Sequence, residues 1–220
     1  GFYSGTFTPP SSSYSEVTNN LTDQNFIWSP PPSPVIAEIS PEGGSALGGS
    51  IVTLTGSNFL TTALPSVTFG GVAGTGVICT NTTRLTVVTP AHAAGTVAVV
   101  LTNPDGQSAF AANGFTFYPA IVGRVTNVYT GVGVDGVNLA FSGIGSALTS
   151  GGGGFTQVVY SGWSGTLTPS YNNSVFSPAS RTYTTVTLTL TNQGFGWVPP
   201  NPVISGRVTN LNTYAGEDGV

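Results

Sequence analysis

Lysine and methionine are absent from the 220 residues, and cysteine and histidine occur once each. Charged side chains make up 5% of the chain, where about 25% is usual. The four cations are all arginine: Arg84, Arg124, Arg181 and Arg207. With so few cations and a formal net charge of −4 there is no basic stripe to neutralise phosphates, which excludes nucleic acid as a partner. The same deficit argues against docking on an anionic lipid surface. No apolar stretch reaches membrane-spanning length, so no membrane insertion is expected. The lone Cys79 cannot close an intrachain disulfide, and its setting in GVICT reads as a small buried side chain rather than a reactive thiol. A 3.6-residue apolar period is missing too. Abundant Thr, Ser, Val, Gly and Pro in its place predict an all-β chain.

What is present argues for packing. Hydrophobic content of 39% with twelve Phe separates this composition from that of a disordered segment. A neutral, hydroxyl-rich exterior offers little charge repulsion against self-association. It suits a protein that assembles or one coated with covalent glycan, and both readings place it outside the cell or on its surface. The start at Gly1 without a leader reads as a mature or excised form.

Two proline-rich joints, SPPPSPVI from Ser29 and VPPNPVI from Val198, favour extended spacers. They divide the chain into a leading piece (1–28), a joint (29–34), two whole domains (35–119 and 120–198), a second joint (199–203) and a trailing piece (204–220). In the first domain the runs IVTLTG, SVTFGG, GVICT, RLTVVTP, TVAVVLTN and GFTFYP alternate with Gly, Pro, Asn and Asp turn signals, the pattern of a β-sandwich. Asn103-Pro104-Asp105-Gly106 is a strand-reversal signal. ISPEGGSALGGSIVTLTGSNF, VTFGG, VVTPAHAAGTVAVVLTNPDGQSA and FTFY together resemble the IPT/TIG immunoglobulin-like domain. That family includes receptor ectodomains, bacterial surface proteins and DNA-contacting transcription factors, and the shortage of cations speaks against the last role.

The second domain opens IVGRVTNVYTGVGVDGVNLAFSG and continues through GWSGTLTP and FSPASRTY. It resembles the carboxypeptidase-regulatory-like, prealbumin-like β-sandwich repeated in large bacterial surface proteins. The expected architecture is therefore tandem immunoglobulin-like and prealbumin-like sandwiches with half-domains at both ends.

The half-domains are read from internal repeats. ISGRVTNLNTYAGEDGV, Ile204 to Val220, matches IVGRVTNVYTGVGVDGV, Ile121 to Val137, in register and without a gap. YSEVTNNLTDQNFIW, Tyr14 to Trp28, repeats YTTVTLTLTNQGFGW, Tyr183 to Trp197, in the same way, and the preceding YSGTFTP matches SGTLTP with NNSVFSPAS left without a counterpart. Neither piece can bury an apolar face alone, and unpaired strand edges invite another chain.

Two structural readings follow. One is a head-to-tail homopolymer in which a donor strand carrying Ile204, Gly206 and Val208 adds to an acceptor edge carrying Thr6, Phe7, Thr8, Val17, Leu21, Phe26 and Trp28. The hybrid lacks the counterpart of residues 138–160 and is smaller than the intact sandwich. The other reading is a covalent array of the same modules. Trp28 and Trp197, each at the end of a domain copy, are expected to pack between domains.

Catalytic chemistry has no constellation here. His92 sits in the turn TPAHAAG and reads as a solvated loop residue; no His/Cys cluster has metal-ligand spacing, and Asp105 and Asp135 read as turn residues rather than calcium ligands. No enzyme activity, metal or cofactor is expected. GGGGF at Gly151–Phe155 lacks the Lys and helix of a phosphate loop and reads as a flexible hairpin tip. Trp163, Tyr160 and Tyr171 could line a sugar platform, although edge-packed aromatics are the expected reading. That platform carries the alternative function, an accessory spacer or glycan-binding module of a secreted polysaccharide-active or adhesin protein. Sequons at Asn20, Asn81 and Asn172 offer glycosylation sites.

Overall fold

The computed structural model describes residues 6–8, 11, 25 and 27–200, excluding the side chains of Phe7 and Trp28. It is all-β, with no helix among the described residues. Ile204, Gly206, Val208, Val17, Leu21, Phe26 and Asn20 lie outside the described residues. Two short strands come first, β1 (Thr6–Thr8) and β2 (Ile27–Ser29). They pair antiparallel with Phe7 opposite Trp28. Thr6, Thr8, Ile27 and Ser29 are all exposed, so this ribbon has no core beneath those positions. An isolated two-stranded sheet of this kind is marginal in water.

The next nine strands are β3 (Val35–Ser40), β4 (Gly43–Ser45), β5 (Ile51–Ser57), β6 (Ser66–Phe69), β7 (Val72–Ala73), β8 (Thr75–Asn81), β9 (Arg84–Val88), β10 (Gly95–Thr102) and β11 (Ser108–Tyr118). They form two sheets, of order β3-β5-β9-β8 and β4-β11-β10-β6-β7. All six apolar runs picked out by alternation are strands here. Their period of two sends every second side chain inward: Val52, Leu54, Leu85 and Val87 from one sheet, Val67, Phe69, Val99, Leu101, Phe115 and Phe117 from the other, all essentially without solvent contact. Phe69, Phe115 and Phe117 pack edge to face with centroids 4.9–6.2 Å apart, the arrangement their ring quadrupoles favour.

Long-range polar contacts close the turns around this core. The amide of buried Asn103 donates to the Asn58 carbonyl (2.8 Å), and its Oδ1 accepts from the Leu60 N–H (3.1 Å). The reversal that begins at Asn103 thereby satisfies the backbone of the GSNF turn, where Asn58 is left-handed at φ 60. His92 is not a free loop side chain, contrary to expectation. It is half-buried, its ring stacks on Phe117 at 5.0 Å, and its Nδ1 lies 2.8 Å from the Ala93 carbonyl. The bare α-carbon of Gly70 makes room for it, since a Cβ there would come within 2.7 Å of Nε2.

Eight further strands follow: β12 (Ala120–Asn127), β13 (Asn138–Phe141), β14 (Gly145–Leu148), β15 (Gly154–Val158), β16 (Trp163–Ser170), β17 (Val175–Ser177), β18 (Arg181–Val186) and β19 (Phe195–Val198). Their sheets have the orders β15-β12-β19-β17 and β14-β13-β16-β18. β12 and β19 run parallel, with Val125 opposite Phe195 and Asn127 opposite Trp197. Val125, Val137, Leu139, Phe141, Phe155, Leu167, Phe176 and Phe195 are buried. By contact the chain divides into two compact units, one of Gly1–Val122, Thr156–Ser164 and Tyr183–Thr191, the other of Gly123–Phe155, Gly165–Thr182 and Asn192–Val220.

Replacing Asn103 by Ala strands the Leu60 N–H and the Asn58 carbonyl in a buried turn. The expected loss is about 1–3 kcal/mol, read as a lower urea midpoint with unchanged slope.

Candidate functional site

An open cleft with a polar lining lies where the chain leaves one sheet for the other. β16 ends at Ser170, and Tyr171 to Ser174 make a tight turn closed by the Ser174 N–H donating to the Tyr171 carbonyl (2.8 Å). Asn172 and Asn173 are both left-handed, at φ 43 and 53, as the centre of a type I′ turn requires, and asparagine tolerates this better than most side chains. Beyond the turn the chain enters β17 in the opposite sheet. The turn, Pro169 and Gly136 enclose an open volume of about 410 Å³, within the usual range of small-ligand clefts.

The chemistry of this cleft is neutral and polar. None of the lining residues carries a charge; they offer two carboxamides, two hydroxyls and the Tyr171 ring. The Tyr171 ring is held against Trp197, at 5.9 Å and 81°. Two buried polar atoms here have no hydrogen-bond partner: Ser174 Oγ and Trp197 Nε1. Each such orphan costs roughly 1–3 kcal/mol. Among the lining residues there is no nucleophile–base pair of the kind covalent catalysis uses.

Other sequence-predicted residues fall elsewhere. Trp197, expected between domains, packs on Tyr171 of its own unit. Trp163 lies 5.9 Å from Tyr183 and Tyr160 lies 6.0 Å from Tyr118. With Tyr171 on Trp197, the three aromatics have three separate ring partners rather than forming one platform. Asn81 is exposed, and its Oδ1 accepts from both the N–H and the hydroxyl of Thr83. Asn172 is exposed at the cleft. Among the described residues, no group of three or more His, Cys, Asp and Glu side chains could hold a metal ion. Burial pushes the half-buried Cys79 thiol up from its ordinary value.

Asp105 and Asp135 serve as backbone anchors. Asp135 Oδ1 accepts from the N–H groups of Gly152 (3.0 Å) and Gly153 (2.5 Å), while Arg124 Nε donates to the Gly152 carbonyl (2.6 Å). The glycine run is thus a clamped turn, not a flexible tip. A Cβ on Gly153 would meet the Val125 carbonyl at 2.2 Å. Asp105 orients Gln107 through Oδ1 and Oδ2. Gln107 in turn donates to the Pro31 carbonyl (2.8 Å) and accepts from the Ser33 hydroxyl (2.6 Å), and Asn58 donates to the Ser33 carbonyl (2.9 Å). The proline-rich joint is therefore tied down, a grip that sequence spacing does not reveal.

A family model decides one part of the chain. Residues 34–117 form an IPT/TIG domain. No curated protein matches the chain. Among solved structures it is similar to gamma-CGTase from the alkalophilic Bacillus clarkii, at 16% identity over 79% of this chain and 29% of that one, with a TM-score of 0.37. It is also similar to an auxiliary nutrient binding protein from Bacteroides thetaiotaomicron, at 19% identity over 72% and 50%, TM-score 0.33. A third is the Bacteroides ovatus SGBP-B of a mixed-linkage glucan utilisation locus, in complex with a mixed-linkage heptasaccharide, at 18% over 76% and 46%, TM-score 0.32. The chain spans at most about half the length of each of these proteins.

Two outcomes are expected around the IPT/TIG domain. Gln107→Ala frees the joint, so limited proteolysis should cut near Pro31 several-fold faster than in the parent while the thermal midpoint moves little. Because the Cys79 thiol is raised, less thiolate is present at pH 8 than on free cysteine. Its reaction with a disulfide reagent should be slower there, and should accelerate only at higher pH.

Proposed function

We propose that the chain is a non-catalytic structural segment of an extracellular fibre, in which the trailing strand sequence of one copy completes the leading piece of the next. The observation that carries this reading is a shared register. When Tyr14–Trp28 is laid on Tyr183–Trp197, β1 stands beside β2 as β17 stands beside β19. Phe7 opposes Trp28 as Phe176 opposes Trp197, and Thr6 opposes Ser29 as Val175 opposes Val198. The segment that supplies β17 has no counterpart in the leading piece, and β1, whose sequence counterpart is Thr166–Thr168 of β16 in the other sheet, takes the β17 register instead.

The other neighbour of β19 is β12, and the sequence of β12 is the one that recurs at Ile204 to Asn210. Copying Val125↔Phe195 and Asn127↔Trp197 sets Val208 beside Phe26 and Asn210 beside Trp28 of the neighbouring copy. Val125 and Phe195 are both buried, so Val208 and Phe26 supply the apolar seal of the contact. Such a junction is heterologous and propagates as an open line. In a longer covalent array the same strand pair recurs within one polypeptide, and the IPT/TIG domain is the spacer in either case. A second reading, an accessory spacer or glycan-binding module of a secreted protein, is favoured by the neutral cleft at Tyr171.

The register is testable by crosslinking. In a Cys79→Ser background, the double variant Phe26→Cys, Val208→Cys places the two thiols on neighbouring parallel strands, within the roughly 4.4–6.8 Å Cα separation a disulfide spans. Oxidation should give a ladder of multiples of 22.3 kDa on non-reducing gels, absent from either single variant. Monomer alone, at concentrations where the parent assembles, overturns strand donation.

A further inference from the structure

We infer that the cleft formed by Gly136 and Pro169–Ser174 is a binding site for a neutral saccharide, and this stands whether or not copies of the chain exchange strands. The lining sets the ligand class by what it can satisfy. With no charged side chain around about 410 Å³, an anion or cation would lose its water without gaining a counter-charge. A purely apolar ligand would strip water from the exposed Asn172 and Asn173 carboxamides and the Ser170 hydroxyl and return nothing. A hydroxylated, uncharged ring does neither. Each carboxamide both donates and accepts, as does each hydroxyl, which matches the mixed donor and acceptor character of vicinal sugar hydroxyls.

Two features show that the cleft is built rather than incidental. The Ser174 hydroxyl is buried in the cleft wall with no partner in the protein, and a small shift of the turn is needed for a sugar hydroxyl to reach it. The Tyr171 ring, an amphipathic surface suited to stacking on a pyranose, is fixed by Trp197 at 5.9 Å, and Trp197 is itself held between β12 and β17 through the pairing of its strand. The ring is thus set before a ligand arrives, which lowers the ordering cost of binding. Gly136, left-handed at φ 79, lines the cleft beside the Tyr171 ring.

The test uses the intact chain and calorimetric titration with neutral hexasaccharides of glucose (β- and α-linked), xylose, mannose and galactose. At least one should bind saturably, with an affinity insensitive to salt because no ion pair is involved. The double variant Asn172→Gly, Asn173→Gly removes both carboxamides while glycine keeps the left-handed turn. It should lose about tenfold or more in affinity with its thermal midpoint preserved. Tyr171→Ala should abolish binding, and Trp163→Ala, at a separate aromatic pair, should leave it unchanged. Absence of saturable binding to every sugar in the panel overturns the inference, as does affinity undiminished in both cleft variants.

Discussion

The parallel pairing of β12 with β19 is the constraint on which the second sandwich depends. Parallel neighbours cannot be joined by a tight turn, so the strand that opens the module is held by the strand that closes it, with everything between them enclosed. Val125 and Phe195 are buried as a pair at this seam, and the Val128 N–H donates to the Trp197 carbonyl at its end (3.0 Å). A module held in this way has no stable part-form: either closing strand alone keeps an open ladder and an uncovered apolar face. Sequences equivalent to both strands recur in the two end pieces of the chain.

The scarcity of charge shapes how the rest is held. Two of the four arginines spend their guanidinium groups on backbone carbonyls: Arg124 on Gly152, and Arg181 on Gly194 through both Nε (3.1 Å) and Nη2 (2.9 Å) while lying 5.5 Å over the Phe195 ring. Asp135 likewise anchors the N–H groups of a glycine turn. These are the places where the backbone bends too sharply to satisfy itself within a ladder. The exterior carries uncharged threonine, serine and asparagine alongside exposed apolar side chains such as Ile51, Ile78 and Phe110, and neither kind repels a second copy by charge. A surface of that kind imposes little electrostatic penalty on end-to-end contact.

Much of the fold was legible because half-buried strands announce themselves by alternation. IVTLTG and RLTVV send Val52, Leu54, Leu85 and Val87 inward as their period requires. The turn at Asn103 was legible from its residues, and the IPT/TIG resemblance from several motifs in order. What was not legible is what depends on partners distant in sequence. Nothing local joins Gln107 to Pro31, or sets His92 on Phe117, or separates Trp163, Tyr160 and Tyr171 onto three different rings. The glycine run looked flexible because its anchors, Arg124 and Asp135, lie many residues upstream. The cleft was half legible: Asn172-Asn173 signals a left-handed turn, but only the crossing between sheets makes that turn the wall of a cavity.

The same repeats separate two roles within one module. The residues equivalent to β12 and β19 recur at the ends of the chain, whereas NNSVFSPAS, which contributes Asn172, Asn173 and Ser174 of the cleft together with β17, has no counterpart in the leading piece. The strands of the seam, β12 and β19, have sequence counterparts at the ends of the chain, whereas the turn Asn172–Ser174 that walls the cleft has none in the leading piece. Strand pairing demands only a register and an alternating apolar face, and both survive duplication without change. A cleft demands particular side chains at a particular turn, and such turns tolerate insertion and loss without disturbing the sheets that carry them. Sheets and cleft turn can therefore vary independently in this architecture: where the insert is missing, β1 occupies beside β2 the register that β17 holds beside β19.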